Sequence, residues 1–111
     1  MSKTSLYRGN LTAIVLQLLE NEGRMYGYEI TQKVKEKTNG SLVIKEGALY
    51  PVLHKLETQG FLTVEASKVD GRIRKYYKIT EAGNEERVSQ LQALREYLQT
   101  MEQILNPKLS Y

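Results

Sequence analysis

Seven lysines and arginines fall between Lys45 and Ile79, against four carboxylates. They are Lys45, Lys55, Lys68, Arg72, Arg74, Lys75 and Lys78, with Tyr50 and His54 among them. Cations at this density suit one chemistry above others, the neutralisation of a phosphate backbone, in which each contact releases a condensed counterion. The competing account is a set of solvated faces. The rest of the chain is balanced differently. Residues 11–44 carry four basic and four acidic side chains, and residues 80–105 carry two and five. Lys3, Arg8 and Lys108 complete a net charge of +3 over 111 residues. Such segregation predicts one part that faces nucleic acid and another that faces something else.

Other chemistries are poorly supplied. The chain has no cysteine, which removes disulfides, zinc–thiolate sites, iron–sulfur clusters and thiol nucleophiles. His54 is the single histidine and has no evident partner group, so no metal site, cofactor or catalytic set is expected. The longest apolar run, Ala13 to Leu16, is far short of the ~20 residues that span a bilayer. A cytoplasmic protein with no membrane partner is expected. The length suits one domain with a core of ordinary size.

The elements that must position the basic set can be read from periodicity. Leu11, Ile14, Val15, Leu18 and Leu19 lie on one face of a helix that Asn10 caps and Gly23 stops. A second helix runs from about Tyr26 or Gly27 to Thr38, with Ile30 and Val34 inward and Asn39-Gly40 at its end. Gly27 offers a close approach between helices, and Tyr26 and Tyr28 are expected to pack there. A third helix begins near Gly47, with Pro51 in or near its first turn, and buries Leu49, Val52, Leu53 and Leu56 before Gly60. Alternation follows from Phe61 to Ser67 and from Ile73 to Ile79. The Asp70-Gly71 pair between them is a strong hairpin signal. Thr80 caps a last helix in which Leu91, Leu94, Leu98, Met101 and Leu105 recur at intervals of three, four, three and four. That helix ends before Asn106-Pro107.

Helix, helix, helix, hairpin and long helix make an α+β chain, mostly α: a winged helix-turn-helix over residues 1–79 and a C-terminal dimerisation helix over 80–111. The third helix is the candidate reader, since a major groove ~12 Å wide accepts one α-helix. The hairpin would reach along the duplex to phosphates. Lys45, His54 and Lys55 are the reader's candidates for DNA contact. Lys68, Arg72, Arg74 and Lys75 are those of the wing. Tyr50 suits either a phosphate contact or packing with its hydroxyl bonded. Tyr76 and Tyr77 are expected to pack within the hairpin. Val88, Leu91, Leu94, Leu98, Met101 and Leu105 are read as a seam with a second copy, because a long terminal helix has little left to pack against in so small a domain. Intramolecular core and the wall of an effector pocket are the other readings of these leucines.

The run Tyr26-Gly27-Tyr28-Glu29-Ile30 resembles the YGYEI of PadR-family transcriptional regulators. Glu46-Gly47-Ala48-Leu49-Tyr50-Pro51-Val52-Leu53, with Leu56-Glu57 and Gly60, resembles that family's EGxLYPxLxxLExxG. Gly71-Arg72, Arg74-Lys75-Tyr76-Tyr77, Thr80 and Gly83 resemble its wing and helix entry. The single terminal helix matches the family's smaller subfamily. The resemblance implies a homodimeric repressor whose two reading helices sit about one DNA turn, ~34 Å, apart on a roughly palindromic double-stranded operator. It also implies release by a small, often aromatic, effector between the protomers, here near Leu94 and Tyr97. The family's pattern carries an aromatic residue, frequently Trp, near the position of Leu94. This chain has no Trp and departs from the pattern there. A different class of function, a winged-helix protein-interaction module without DNA, is disfavoured by the basic wing and Lys45.

Overall fold

A computed structural model describes residues 7–106. Lys3, Pro107 and Lys108 lie outside the described residues. The elements in chain order are α1 (Leu11–Glu22), β1 (Met25–Tyr26), α2 (Gly27–Lys37), α3 (Glu46–Thr58), β2 (Leu62–Val69), β3 (Arg72–Ile79) and α4 (Glu81–Leu105). The helices and the hairpin fall where periodicity places them.

The core is built around α1. Its Leu11, Val15, Leu16, Leu18 and Leu19 are buried against Ile30 and Val34 of α2, Leu49, Leu53 and Leu56 of α3, and Leu62 and Tyr77 of the hairpin. Leu42 and Ile44, in the segment leading to α3, are buried as well. Asn10 holds the expected position before α1, but its side chain makes no capping bond. Its backbone carbonyl accepts from the Ile14 N–H at 3.0 Å. Gly23 ends α1 at φ 82, with its N–H donated to the Leu19 carbonyl.

Pro51 lies farther into α3 than expected. The helix starts at Glu46, so the proline stands in its second turn. Its missing N–H leaves the carbonyl of exposed Gly47 without the usual helical donor, a group that water can serve.

The hairpin closes through Asp70 at φ 51 and Gly71 at φ 77, the two positive angles that a two-residue turn matched to strand twist requires. Val69 is paired with Arg72, and the ladder runs without a bulge to Leu62 and Ile79. A third strand joins it. β1 pairs antiparallel with β3, Met25 opposite Tyr77 and Tyr26 opposite Tyr76, giving the order β1-β3-β2.

α4 is anchored most firmly at its start. The Thr80 hydroxyl accepts from the Gly83 N–H at 3.0 Å and donates to the Gly60 carbonyl at 2.8 Å. The Thr80 N–H is donated to the Phe61 carbonyl. Arg87 ties the second turn to α1 through Gln17, at 3.0 Å. Gly83 is the one buried residue of the helix. The middle of α4 runs beside α1, where Leu91 and Leu94 face Ala13, Ile14 and Leu18 across a groove. Its far end projects, so that the described chain measures 60 × 29 × 21 Å, with a radius of gyration of 15.9 Å against about 13 Å for a compact chain of this size. A side chain at position 83 would strike the Phe61 carbonyl and approach Ile79 to 2.8 Å. Gly83→Ala is therefore expected to destabilise the protein by about 1–3 kcal/mol, read as a lower midpoint in urea. An unchanged midpoint would show that α4 is not seated as described.

Candidate nucleic-acid interface

With Leu49, Leu53 and Leu56 buried, the opposite side of α3 must face outward. It presents Gly47, Pro51, His54 and Thr58, flanked by Tyr50 and Lys55, and all six are exposed. Lys45 precedes them in extended backbone at the N-cap position, where no side chain caps the helix. The first turn and a half of this face is nearly bare. Nothing lies within 4 Å of where a Gly47 side chain would be. The helix start therefore offers a close approach, with cations on its border.

Tyr50 does both things weighed for it in part. Its ring packs over Gly27, where a methyl group would sit 2.6 Å from the hydroxyl, and 45% of its surface stays open. This contact is the hinge between α2 and α3, and only glycine leaves room for it. Burial raises the Tyr50 phenol above its ordinary 10.0, and the Glu46 carboxylate adds to the rise. Burial likewise raises the Tyr77 phenol, helped by Glu57 and Tyr50. Both are neutral donors at physiological pH.

The wing cations divide between two faces. Cross-strand pairing puts Lys68, Ile73 and Lys75 on the side that continues the core face of Leu62, Val64, Tyr77 and Ile79. Ile73 lies beyond the core and is 75% exposed. Arg72, Arg74, Tyr76 and Lys78 share the other side. Lys68, Arg72, Lys75 and Lys78 are exposed, as are Lys45 and Lys55 at and on α3. None of these six enters an ion pair among the described residues. Two of the three lysines of α2 behave differently: Lys33 and Lys37 both reach Glu22, at 3.5 and 3.8 Å, while Lys35 is exposed and enters no ion pair among the described residues. Arg74 also stands apart. Its guanidinium lies over the Tyr26 ring, 4.5 Å from the centroid.

Two expectations need correction. Tyr28 does not pack between helices and is 54% exposed, because it stands about 200° around α2 from Ile30. Tyr26 is half-buried, but against Tyr76 of the wing rather than in the core. The sequence reading also missed β1. Its available signal was the shared Arg-x-Tyr spacing of Arg24-Met25-Tyr26 and Arg74-Lys75-Tyr76.

Along α4 the seam candidates stay largely uncovered. Val88, Leu98 and Leu105 are 50%, 55% and 72% exposed, while Leu91, Leu94 and Met101 are half-buried. The intramolecular-core reading of these leucines is thereby removed. Leu94 lines an apolar groove with Ala13, Ile14 and Leu18 of α1. With Tyr97 it also lines a second groove beside Gly9, Asn10 and Ala13.

Residues 15–89 match the family model described as the transcriptional regulator PadR-like family. The chain belongs to that family. This PadR-like chain is 35% identical over 86 residues to the transcriptional regulator Rv3488 of Mycobacterium tuberculosis, covering 76% of its own length and 78% of that relative. It superposes on a PadR family transcriptional regulator from Eggerthella lenta with a TM-score of 0.82 at 26% identity, covering 92% and 87% of the two chains. It also superposes on Bacillus subtilis PadR in complex with operator DNA, with a TM-score of 0.65 at 32% identity, over 73% of this chain and 46% of that one. The winged helix-turn-helix architecture is shared.

The tyrosine environment predicts a pH response. Because the folded state favours the neutral phenols of Tyr50 and Tyr77, unfolded chains ionise first, at 10.0. This contribution to stability is complete below pH 10.0 and falls as pH rises above it. An ultraviolet difference titration should show phenol ionisation continuing above pH 10.0, and part of that late ionisation should be lost in Tyr50→Phe. A late ionisation left unchanged in Tyr50→Phe would contradict the packing of Tyr50 on Gly27.

Proposed function

We propose that this PadR-like regulator is a homodimeric DNA-binding repressor. In this reading α3 enters the major groove of a roughly palindromic operator with Gly47 and Pro51 toward the bases and Tyr50, His54 and Lys55 on the flanks. Lys45, Lys68, Arg72 and Lys75 neutralise phosphates. Residues 1–79 form the reading unit and 80–111 the dimerisation arm, in a cytoplasmic protein. The observation that carries the reading is the division of charge. Two of the three lysines of α2, Lys33 and Lys37, pair with Glu22, whereas Lys45, Lys55, Lys68, Arg72, Lys75 and Lys78 of the reader and the wing stand exposed with no ion pair among the described residues. Bacillus subtilis PadR, to which the chain is similar, is seen with operator DNA. The basic wing and Lys45 argue against an interaction module without DNA.

The arm is read as the seam with a second copy because Val88, Leu98, Ile104 and Leu105 leave an apolar stripe open along it. A small aromatic effector seated beside Leu94 and Tyr97 would act by changing the spacing of the two readers. That spacing must match one helical turn of DNA for both half-sites to engage.

Two variants test the parts separately. Arg72→Ala with Lys75→Ala should weaken binding to all sequences alike and reduce the slope of log K against log salt by about 1.8, two contacts at ~0.9 each. A slope equal to wild type would remove the wing from the phosphate backbone. Leu94→Asp with Leu98→Asp should sediment as a monomer and bind the operator poorly, and a variant that still sediments as a dimer would place the interface elsewhere.

A further inference from the structure

Arg24, Tyr26, Arg74 and Tyr76 lie together on the outer face of the sheet, and no step above uses them. Tyr26 and Tyr76 are directly paired across β1 and β3, their rings edge to face at 5.5 Å between centroids. Each arginine covers the ring of the opposite strand. Arg24 lies 4.4 Å over Tyr76, and Arg74 lies 4.5 Å over Tyr26. Repetition of Arg-x-Tyr on two antiparallel strands produces this crossed arrangement, since residues two apart share a face and diagonal neighbours are within reach. Arg24 then extends past Tyr76 to Glu65 on β2, at 3.4 Å, so the set spans all three strands. Tyr26 is also the residue immediately before α2, and its N–H is donated to the Glu29 carboxylate at 3.1 Å. The stack therefore joins the root of the wing to the first helix of the helix-turn-helix.

We propose that Arg74 is a positioning residue: with Arg24 and the two tyrosines it locks the wing to the helix-turn-helix, and it takes no phosphate itself. A guanidinium held over a ring on the root of the sheet fixes the direction in which Arg72 and Lys75 are carried. This inference rests on the DNA reading for its consequence, but the lock itself does not.

The test separates a positioning role from a phosphate ligand. Arg74→Ala should weaken operator binding about tenfold through misplacement of the wing, while the salt slope stays at the wild-type value. Arg74→Lys, which keeps a cation over the ring, should recover most of the affinity, and Tyr26→Phe should be silent. Tyr26→Leu should reproduce the loss of Arg74→Ala, and the double variant should bind no worse than either single one. A slope lower by about 0.9 in Arg74→Ala, with Tyr26→Leu unaffected, would make Arg74 a phosphate ligand and overturn the proposal. Hydrogen exchange reads the lock without DNA. Amides of residues 25–26 and 76–77 should exchange faster in Arg74→Ala while those of α3 do not, and unchanged exchange there would overturn the lock. A wild-type protein that failed to bind DNA would refute the functional reading, and exchange would still decide the stack.

Discussion

Three leucines of α3 set the terms for everything the chain presents to a partner. Leu49, Leu53 and Leu56 are at most 1% exposed, wedged among α1, α2 and the hairpin. Turning α3 about its axis would lift them into water at roughly 1.5–3 kcal/mol each, so its rotation is not adjustable. The outward side is then fixed as Gly47, Pro51, His54 and Thr58. Tyr50 adds a second restraint, since its ring fits only while position 27 has no side chain. A reading helix needs this rigidity, because base contacts depend on presenting the same few atoms each time.

Charge is organised around that helix by what is already paired. Glu22 binds Lys33 and Lys37 of α2 and leaves Lys35 open. Glu65 holds Arg24 on the far side of the sheet. Most of the cations left open border α3 or lie along the wing, with Arg8, Lys35 and Arg95 open elsewhere, so a mild net charge of +3 is unevenly placed. The terminal helix is seated at Thr80 and Gly83 and runs on beside α1, with Arg87 on Gln17 and Leu94 facing Ala13 and Ile14 across a groove.

Much of this was legible in the amino-acid sequence. Period 3.6 is strong in α1 and α3, and Asp70-Gly71 nearly dictates its turn. Thr80 followed by Gly83 marks where α4 is seated. The motifs around Gly27, Tyr50 and Arg72 carry the family resemblance that the wider comparison bears out. What escaped was set by contacts between strands. Two residues of β1 are too short for any alternation to show, and the partner of Tyr26 is fixed by register with β3. Arg74 reads as one more wing cation until its place over Tyr26 is seen. Tyr28 was misplaced for a different reason: its aromatic character suggested packing, whereas its angle around α2 already set it opposite Ile30. Whether a stripe such as that of α4 meets a second copy is a property of two chains, and one sequence holds only half of it.

The central claim is that the open cations of α3 and the wing engage phosphates while α3 reads a particular sequence. Titration of the protein against DNA from upstream of its own gene and against a shuffled control, at several salt concentrations, tests this directly. The account predicts preference for the upstream DNA and a steep linear fall of log K with log salt, about 0.9 per phosphate contact. A folded dimer with no affinity for either DNA, or with an affinity insensitive to salt, would contradict it.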